Sequence, residues 1–181
     1  KVLILTTSHI ETILLREKIK EEISEDIFSF VPYEKNLTGT LQKVKQDFEN
    51  HEGKAVLITA SAWQGFNIVS DVSDLVITRI PYVSPSDPMI VAQKHAMLNS
   101  NGGSQWEGER KIYIITRLKT AIRLLQGIGR FARHENSKGN IHLLDRRLLD
   151  RSNPFAKEIR NALADRYSCV TVEKEVALIN K

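Results

Sequence analysis

The residues best suited to chemistry form the string Gln126-Gly127-Ile128-Gly129-Arg130-Phe131-Ala132-Arg133. On a helix, Gln126, Arg130 and Arg133 follow one another at intervals of four and three, so their side chains share one face. Two guanidiniums and an amide on one face make a planar, multi-donor surface suited to phosphate oxygens. Each glycine disfavours the helix by about 1 kcal/mol relative to alanine. A chain tolerates that where something approaches the backbone closely or where the helix begins late. The plainer alternative for such arginines is a solvated helix face. A phosphate-binding face raises the question of a phosphate loop, and the chain has none. Neither G-x-x-x-x-G-K-S/T nor a G-x-G-x-x-G after a strand occurs, and Gly102-Gly103 fall in a polar stretch. By itself the chain is not expected to bind and hydrolyse ATP.

Other reactive side chains are less eloquent. His51, His95, His134 and His142 lack metal-ligand spacing. Cys169 is the single cysteine, which excludes an internal disulfide framework and any multi-cysteine metal or iron–sulfur site within the chain. It reads as a small buried hydrophobe. The net charge of +4 is mild, but it is unevenly placed. Between Arg110 and Arg151 eleven Lys and Arg residues stand against Glu135, Asp145 and Asp150. That stretch suits a nucleic-acid partner, with a solvated face as the plain alternative.

The elements that must position these residues alternate between strand and helix. Val2 to Thr7 is a short apolar run expected to be a buried parallel strand. Ser8 and Glu11 form an S-x-x-E capping box that opens an amphipathic helix. Strands are expected at Ile27 to Val31, Ala55 to Thr59, Leu75 to Thr78 and Asn140 to Leu144. Helices are expected at Thr40 to Phe48, about Met89 to Leu98, and Pro154 to Ala164. Pro81, Pro85 and Pro88 stiffen the loop before the third helix. Residues 99–109 read as a polar, Gly-rich insertion. A strand-like Lys111 to Ile115 is expected to lead into a long helix from about Arg117 to Ala132, and Ser168 to Val172 to add an edge strand.

Continuous apolar strands alternating with helices imply a parallel sheet covered on both faces. With 181 residues, no repeat and no dividing linker, one α/β domain over residues 1–181 is expected. Hydrophobic residues at 41% and charged residues at 27% fit a globular chain rather than a disordered one. No apolar run approaches the ~20 residues that span a bilayer. Val2 to Leu5 is too short for a signal-peptide core, so an intracellular protein is expected, in cytoplasm or nucleoid, or in a host cell if viral.

Q-x-x-G-R-x-x-R resembles motif VI of superfamily 2 helicases, and its surroundings resemble the DinG/XPD group. Arg117-Leu118-Lys119 before it and Gly139-Asn140-Ile141-His142-Leu143-Leu144-Asp145-Arg146-Arg147 after it look like that group's basic helix and its G-x-strand-D-x-R segment. Thr59-Ala60-Ser61-Ala62-Trp63-Gln64-Gly65-Phe66-Asn67 is similar to its motif V, and Arg79-Ile80-Pro81-Tyr82 to Pro88 to its proline-rich segment. The opening strand with Thr6-Thr7-Ser8 looks like motif IV. Four motifs in order, from about residue 1 to 150, carry the resemblance.

The resemblance implies a RecA-like second motor domain. ATP and Mg²⁺ would lie between it and an N-terminal RecA-like domain of the same protein, which would hold the phosphate loop and any iron–sulfur cluster. Arg130 and Arg133 would act as arginine fingers with Gln126 beside them. Gly65, Asn67, Gln126, Gly129, Arg130 and Arg133 would contact the nucleotide. Because the chain begins in a strand, a larger protein with an upstream half is expected. Single-stranded DNA, or RNA, would meet the loops at the sheet ends through Ser8, His9, Ser61, Trp63, Arg79 and Tyr82, with a core aromatic at Trp63 and a turn glycine at Gly65 as the plain alternative; Trp106 is a further candidate, with folding back on the domain as its alternative. Gln64 and Asn67 stand where the group has Glu and Asp, which removes carboxylates able to orient water or a metal. Two alternatives follow: a translocase or nuclease-associated motor that does not unwind, and a catalytically silent nucleic-acid-binding module.

Overall fold

The computed structural model describes residues 1–22, 27–31, 41–63, 68, 72–84, 86–100, 105–129 and 139–164. The chain divides into two compact units, Lys1–Leu144 and Asp145–Lys181. The first contains β1 (Val2–Leu5), α1 (His9–Glu22), β2 (Phe28–Phe30), α2 (Leu41–Asn50), β3 (Ala55–Thr59), β4 (Asp74–Ile77), α3 (Pro88–Ser100), α4 (Gln105–Ile128) and β5 (Asn140–Leu143). Among its described residues the second contains a 3₁₀ turn (Arg146–Leu149) and α5 (Pro154–Ala164).

The five strands among the described residues lie in the order β2-β3-β1-β4-β5 with all neighbours parallel. Register explains why the strands read as continuous apolar runs. Val2, Ile4, Val56, Ile58 and Val76 share one face, where Leu15 and Ile19 of α1 pack on them. Leu3, Leu5, Leu57, Leu75 and Ile77 lie on the other face and are completely buried. Both faces exclude water at the centre, so alternation of polar and apolar residues is lost. Toward β2, the Phe48 ring of α2 meets Phe30 edge-on at 5.8 Å.

Helix starts follow the expected chemistry. Ser8 Oγ accepts the Glu11 N–H at 3.1 Å, while Glu11 Oε2 accepts from the Thr7 N–H at 2.9 Å. Asp87 caps α3 and Asn153 caps α5, each with proline at the first helical position.

Two expectations are corrected. Lys111 to Ile115 is not a strand: it lies inside α4, a continuous helix of 24 residues. Its apolar run fits either period, but Gly108, Thr120, Leu124, Gly127 and Ile128 are buried, and Ile112 and Ile115 half-buried. Within Gly108–Ile115 and again within Thr120–Ile128 the covered positions recur at three and four residues, the helical period. The polar insertion is likewise helical at Asn99–Ser100 and from Gln105 onward, and α3 and α4 pack on each other there. A Cβ placed on Gly108 would stand 3.0 Å from Leu98 Cδ2. Residues 101–104, the end of the expected long helix at 130–132, and the expected strand at Ser168 to Val172 lie outside the described residues.

In the second unit, Phe155, Ala156, Ile159 and Leu163 form the buried face of α5. The D-x-R segment serves local structure. The buried Asp145 carboxylate accepts the Arg147 N–H at 3.0 Å and its Nε at 2.8 Å, closing the 3₁₀ turn. Arg160 donates to the Leu148 carbonyl from α5.

Candidate nucleic-acid interface

All strands are parallel, so the loops after β1, β3 and β4 leave the sheet at one carboxyl edge. The chain returns from β1 toward β2 on one side and from β4 toward β5 on the other. Between β1 and β4 the connections diverge, and such a switch point opens a crevice at the strand ends. Ser8 and His9 lie on its β1 side, Arg79 and Tyr82 on its β4 side, and Ser61 and Trp63 follow neighbouring β3. The structure thus brings all six expected strand-contacting residues to one edge of the sheet.

Hydrogen bonds fix the turns beneath them. Beyond the strand register, the Thr6 N–H donates to Thr59 O and the Thr78 N–H to Leu5 O, each at 3.1 Å. Thr6 and Thr12, both buried, join hydroxyl to hydroxyl at 2.6 Å, and Thr12 Oγ1 donates to Ser8 O at 3.0 Å. These two threonines set the direction in which Ser8 and His9 leave β1. Across the crevice, Arg79 Nε lies 3.4 Å from Glu11 Oε1. Burial pushes the Glu11 carboxyl up, but hydrogen bonds from the Thr7 N–H and the Thr78 and Thr7 hydroxyls, with the Arg79 charge, outweigh it. The group stays ionised below the usual glutamate range. Glu11 therefore ties the turn after β1 to the turn after β4. The S-x-x-E spacing announces Glu11 as a cap only, because its partners Thr78 and Arg79 are remote in sequence.

Individual residues fare differently. Ser8, His9 and Arg79 are exposed, while Ser61 and Tyr82 are half-buried. The Val83 N–H reaches the hydroxyl of the buried Thr120 at 3.4 Å, which anchors the segment carrying Tyr82 to α4. The expectation that Trp63 meets a strand is corrected. Trp63 is 2% exposed, its indole N–H donates to Thr6 O at 2.7 Å, and its ring lies against α4 at Gly127. No ring face remains for a base.

Gly127 joins the second motif to this edge. A Cβ there would stand 2.7 Å from Trp63 Cε3, closer than side chains approach, and 3.2 Å from Leu5 Cδ1, a tight contact. The close approach inferred from a helical glycine is thus made by Trp63. It brings the last turn of α4 against the loop after β3, with Gln126 exposed beside it and Gly129 exposed at the helix end. The Gln126 amide suits a hydrogen bond to a phosphate or ribose oxygen. Gly65, Asn67, Arg130 and Arg133 lie outside the described residues. Among the described residues no cluster of three or more His, Cys, Asp or Glu side chains is placed to hold a metal ion. None of the described helices is long and apolar enough to cross a membrane.

The helicase C-terminal domain family matches residues 1–166. A Photobacterium profundum protein named ATP-dependent DNA helicase DinG is 31% identical over 114 residues, 62% of this chain and 15% of that protein. A Bacillus subtilis protein named 3'-5' exonuclease DinG is 25% identical over 150 residues, 82% of this chain and 15% of that protein. An Escherichia coli protein named ATP-dependent DNA helicase YoaA is 32% identical over 101 residues, 55% of this chain and 15% of that protein. The chain spans about 15% of the length of these relatives. Among solved structures, an XPD helicase superposes with a TM-score of 0.54 at 20% identity, covering 90% of this chain and 27% of that one. Xpd4 of S. tokodaii superposes with a TM-score of 0.50 at 20% identity, covering 91% and 28%. These likenesses establish a shared RecA-like α/β fold.

Proposed function

The chain belongs to the helicase C-terminal domain family, and from that premise we propose that it is the second motor domain of an ATP-dependent DNA helicase of the DinG/XPD kind. ATP and Mg²⁺ would bind between this domain and an N-terminal RecA-like domain of the same protein, and single-stranded DNA, or RNA, would cross the carboxyl edge of the sheet. The observation that carries the reading is the contact of Gly127 with Trp63 and Leu5. It gathers the segments resembling motifs IV, V and VI at the one sheet edge where open α/β sheets take ligands.

In this reading Gln126 faces the cleft, and Arg130 and Arg133 follow it on the same helical period. Their guanidiniums stabilise charge developing on the transferred phosphoryl, Gln126 adds a hydrogen bond, and Gly65, Asn67 and Gly129 contribute backbone or amide contacts. Such fingers act only when two domains close, which couples hydrolysis to motion along a strand. Ser8, His9, Ser61, Arg79 and Tyr82 line the strand side, where short polar side chains and one guanidinium suit a phosphodiester backbone. Glu11 holds Arg79 there in advance.

The test is strand-stimulated ATP hydrolysis by the full-length protein, unaltered against Arg130→Ala, with strand binding followed in parallel. A finger arginine predicts a fall of roughly 10³- to 10⁵-fold with strand binding retained. Equal rates would leave a binding module in place of a motor. A second reading is favoured by the Bacillus subtilis relative's name, 3'-5' exonuclease DinG. Here the domain would serve a nuclease-associated motor that does not separate strands. Forked and tailed duplexes distinguish the two: displacement of the paired strand supports unwinding, and degradation without displacement supports the second.

A further inference from the structure

The amino-terminal half of α4 carries a row of aromatic and basic side chains that the sheet edge does not use. Trp106, Arg110, Tyr113 and Arg117 recur at intervals of four, three and four residues, which sets them on one stripe of the helix. Trp106 is 65% exposed and Tyr113 52%. A guanidinium accompanies each ring: Arg110 lies 5.5 Å from the Trp106 centroid and Arg117 5.1 Å from that of Tyr113. Two large rings left in water beside the exposed Ile114 and Leu118 make a surface that a soluble domain seldom presents without a partner.

The chemistry of the row narrows that partner. Flat rings alternating with cations complement a flexible polyanion that offers flat faces of its own. Glu109 is drawn toward Lys94 of α3 at 3.4 Å, and Glu107 points about 100° away around the helix. Over its whole length α4 sets these two acids against Arg110, Lys111, Arg117, Lys119 and Arg123.

We propose that this stripe is a second binding surface for single-stranded nucleic acid. Trp106 and Tyr113 stack on bases, Arg110 pairs with a phosphate between them, and the half-buried Arg117 backs the Tyr113 ring. The site is separate from the sheet edge, lying about 15 to 30 Å along the helix from Gly127. It depends on the motor reading only for the identity of the polymer. The two rings are about 10 Å apart along the helix, or about three steps of ~3.4 Å in a stacked strand. They therefore grip bases that are not adjacent. Duplex DNA keeps its base faces stacked and does not fit.

The experiment measures binding of a fluorescein-labelled oligodeoxythymidylate by the full-length protein at fixed salt, with folding of each variant followed by thermal melts. Trp106→Ala and Tyr113→Ala are each expected to weaken binding about 5- to 150-fold, the range of one base–aromatic stack. Trp106→Phe should restore most of it, and duplex of equal length should respond little. Photocrosslinking of the unaltered protein to an oligonucleotide bearing 5-iodouracil should label Trp106 or Tyr113, which guards against variants that fail to fold. The proposal is overturned if folded alanine variants bind as tightly as the unaltered protein and no crosslink falls between residues 105 and 117. It is also overturned if those variants change only the oligomeric state, which would mark a protein contact. In both cases the motor reading stands. No strand binding by the unaltered protein would overturn both.

Discussion

Gly127 and Trp63 are in contact so close that a single added methyl on the helix would stand 2.7 Å from the indole. Alanine would favour the helix by about 1 kcal/mol in isolation. Here the methyl has no room, because Trp63 is fixed by its hydrogen bond to Thr6 O and Leu5 closes the other side. Gly127→Ala is therefore expected to destabilise the domain by about 1–3 kcal/mol despite its better propensity. Trp63→Leu opens the space, so the double variant should lose less than the two single losses added together. Urea unfolding of the four proteins measures that coupling. Strict additivity would mean that the contact does not constrain the helix.

Asp74 gives a pH dependence with a definite sign. Its carboxylate accepts hydrogen bonds from Ser73 Oγ at 2.7 Å and from Asn140 and His142 at 3.0 Å each. Led by Ser73, then His142 and Asn140, these hold it at about 2, below the ordinary aspartate value of 3.8. A carboxyl lowered on folding adds stability that is present above its unfolded pKa and is lost as pH falls toward the folded one. Stability should therefore decline between about pH 4 and 2, and Asp74→Asn should flatten that part of the profile. The two proteins should differ at pH 7 and approach each other near pH 2. Parallel profiles in chemical denaturation would show that Asp74 does not contribute.

Asp145 is expected to act on stability alone. It is buried, caps the 3₁₀ turn through the Arg147 N–H, and holds the Arg147 guanidinium. Asp145→Ala removes a cap and a charge-assisted pair, which together correspond to about 1–3 kcal/mol. The midpoint of thermal unfolding should fall while nucleotide hydrolysis per folded molecule in the full-length protein holds. A specific loss of hydrolysis would instead give the D-x-R segment a part in the motor.

The central strands and α5 were legible from burial and period: Ala55–Thr59 is an apolar run closed by Thr59 and wholly buried, and Pro154–Ala164 begins and ends where its cap and period indicate. Lys111 to Ile115 was misread because Ile112, Ile114 and Ile115 favour a strand locally. The helical stripe that overrides them becomes visible only over the full span from Gly108 to Ile128. For Trp63 the sequence leaves a strand contact and a core position both open. Whether an aromatic beside glycines meets a ligand or its own core depends on Gly127, sixty-four positions away. The sheet edge proposed for the strand was readable as one edge, since in a parallel sheet every strand-to-helix turn leaves on the same side. The bridge across that edge was not, because it joins residues from two different turns.

That bridge gives the sharpest discrimination for the sheet edge. Arg79 is largely exposed and held by Glu11 across the crevice, so a phosphate arriving there competes with a carboxylate. With the Arg79 end open to water, a pair of this kind is worth about 0.2–1 kcal/mol. Glu11→Gln keeps an oxygen for the Thr7 N–H but removes the competing charge. It should tighten binding of single-stranded DNA about 1.5- to 5-fold at low salt while lowering the melting temperature. Arg79→Ala should do the reverse: weaker binding, and a salt slope reduced by about one. The opposite signs separate a phosphate contact from a merely structural role, in which both variants would weaken binding by loosening the turns. An unchanged salt slope in Arg79→Ala would remove Arg79 from the strand interface and leave Glu11 as a brace between β1 and β4.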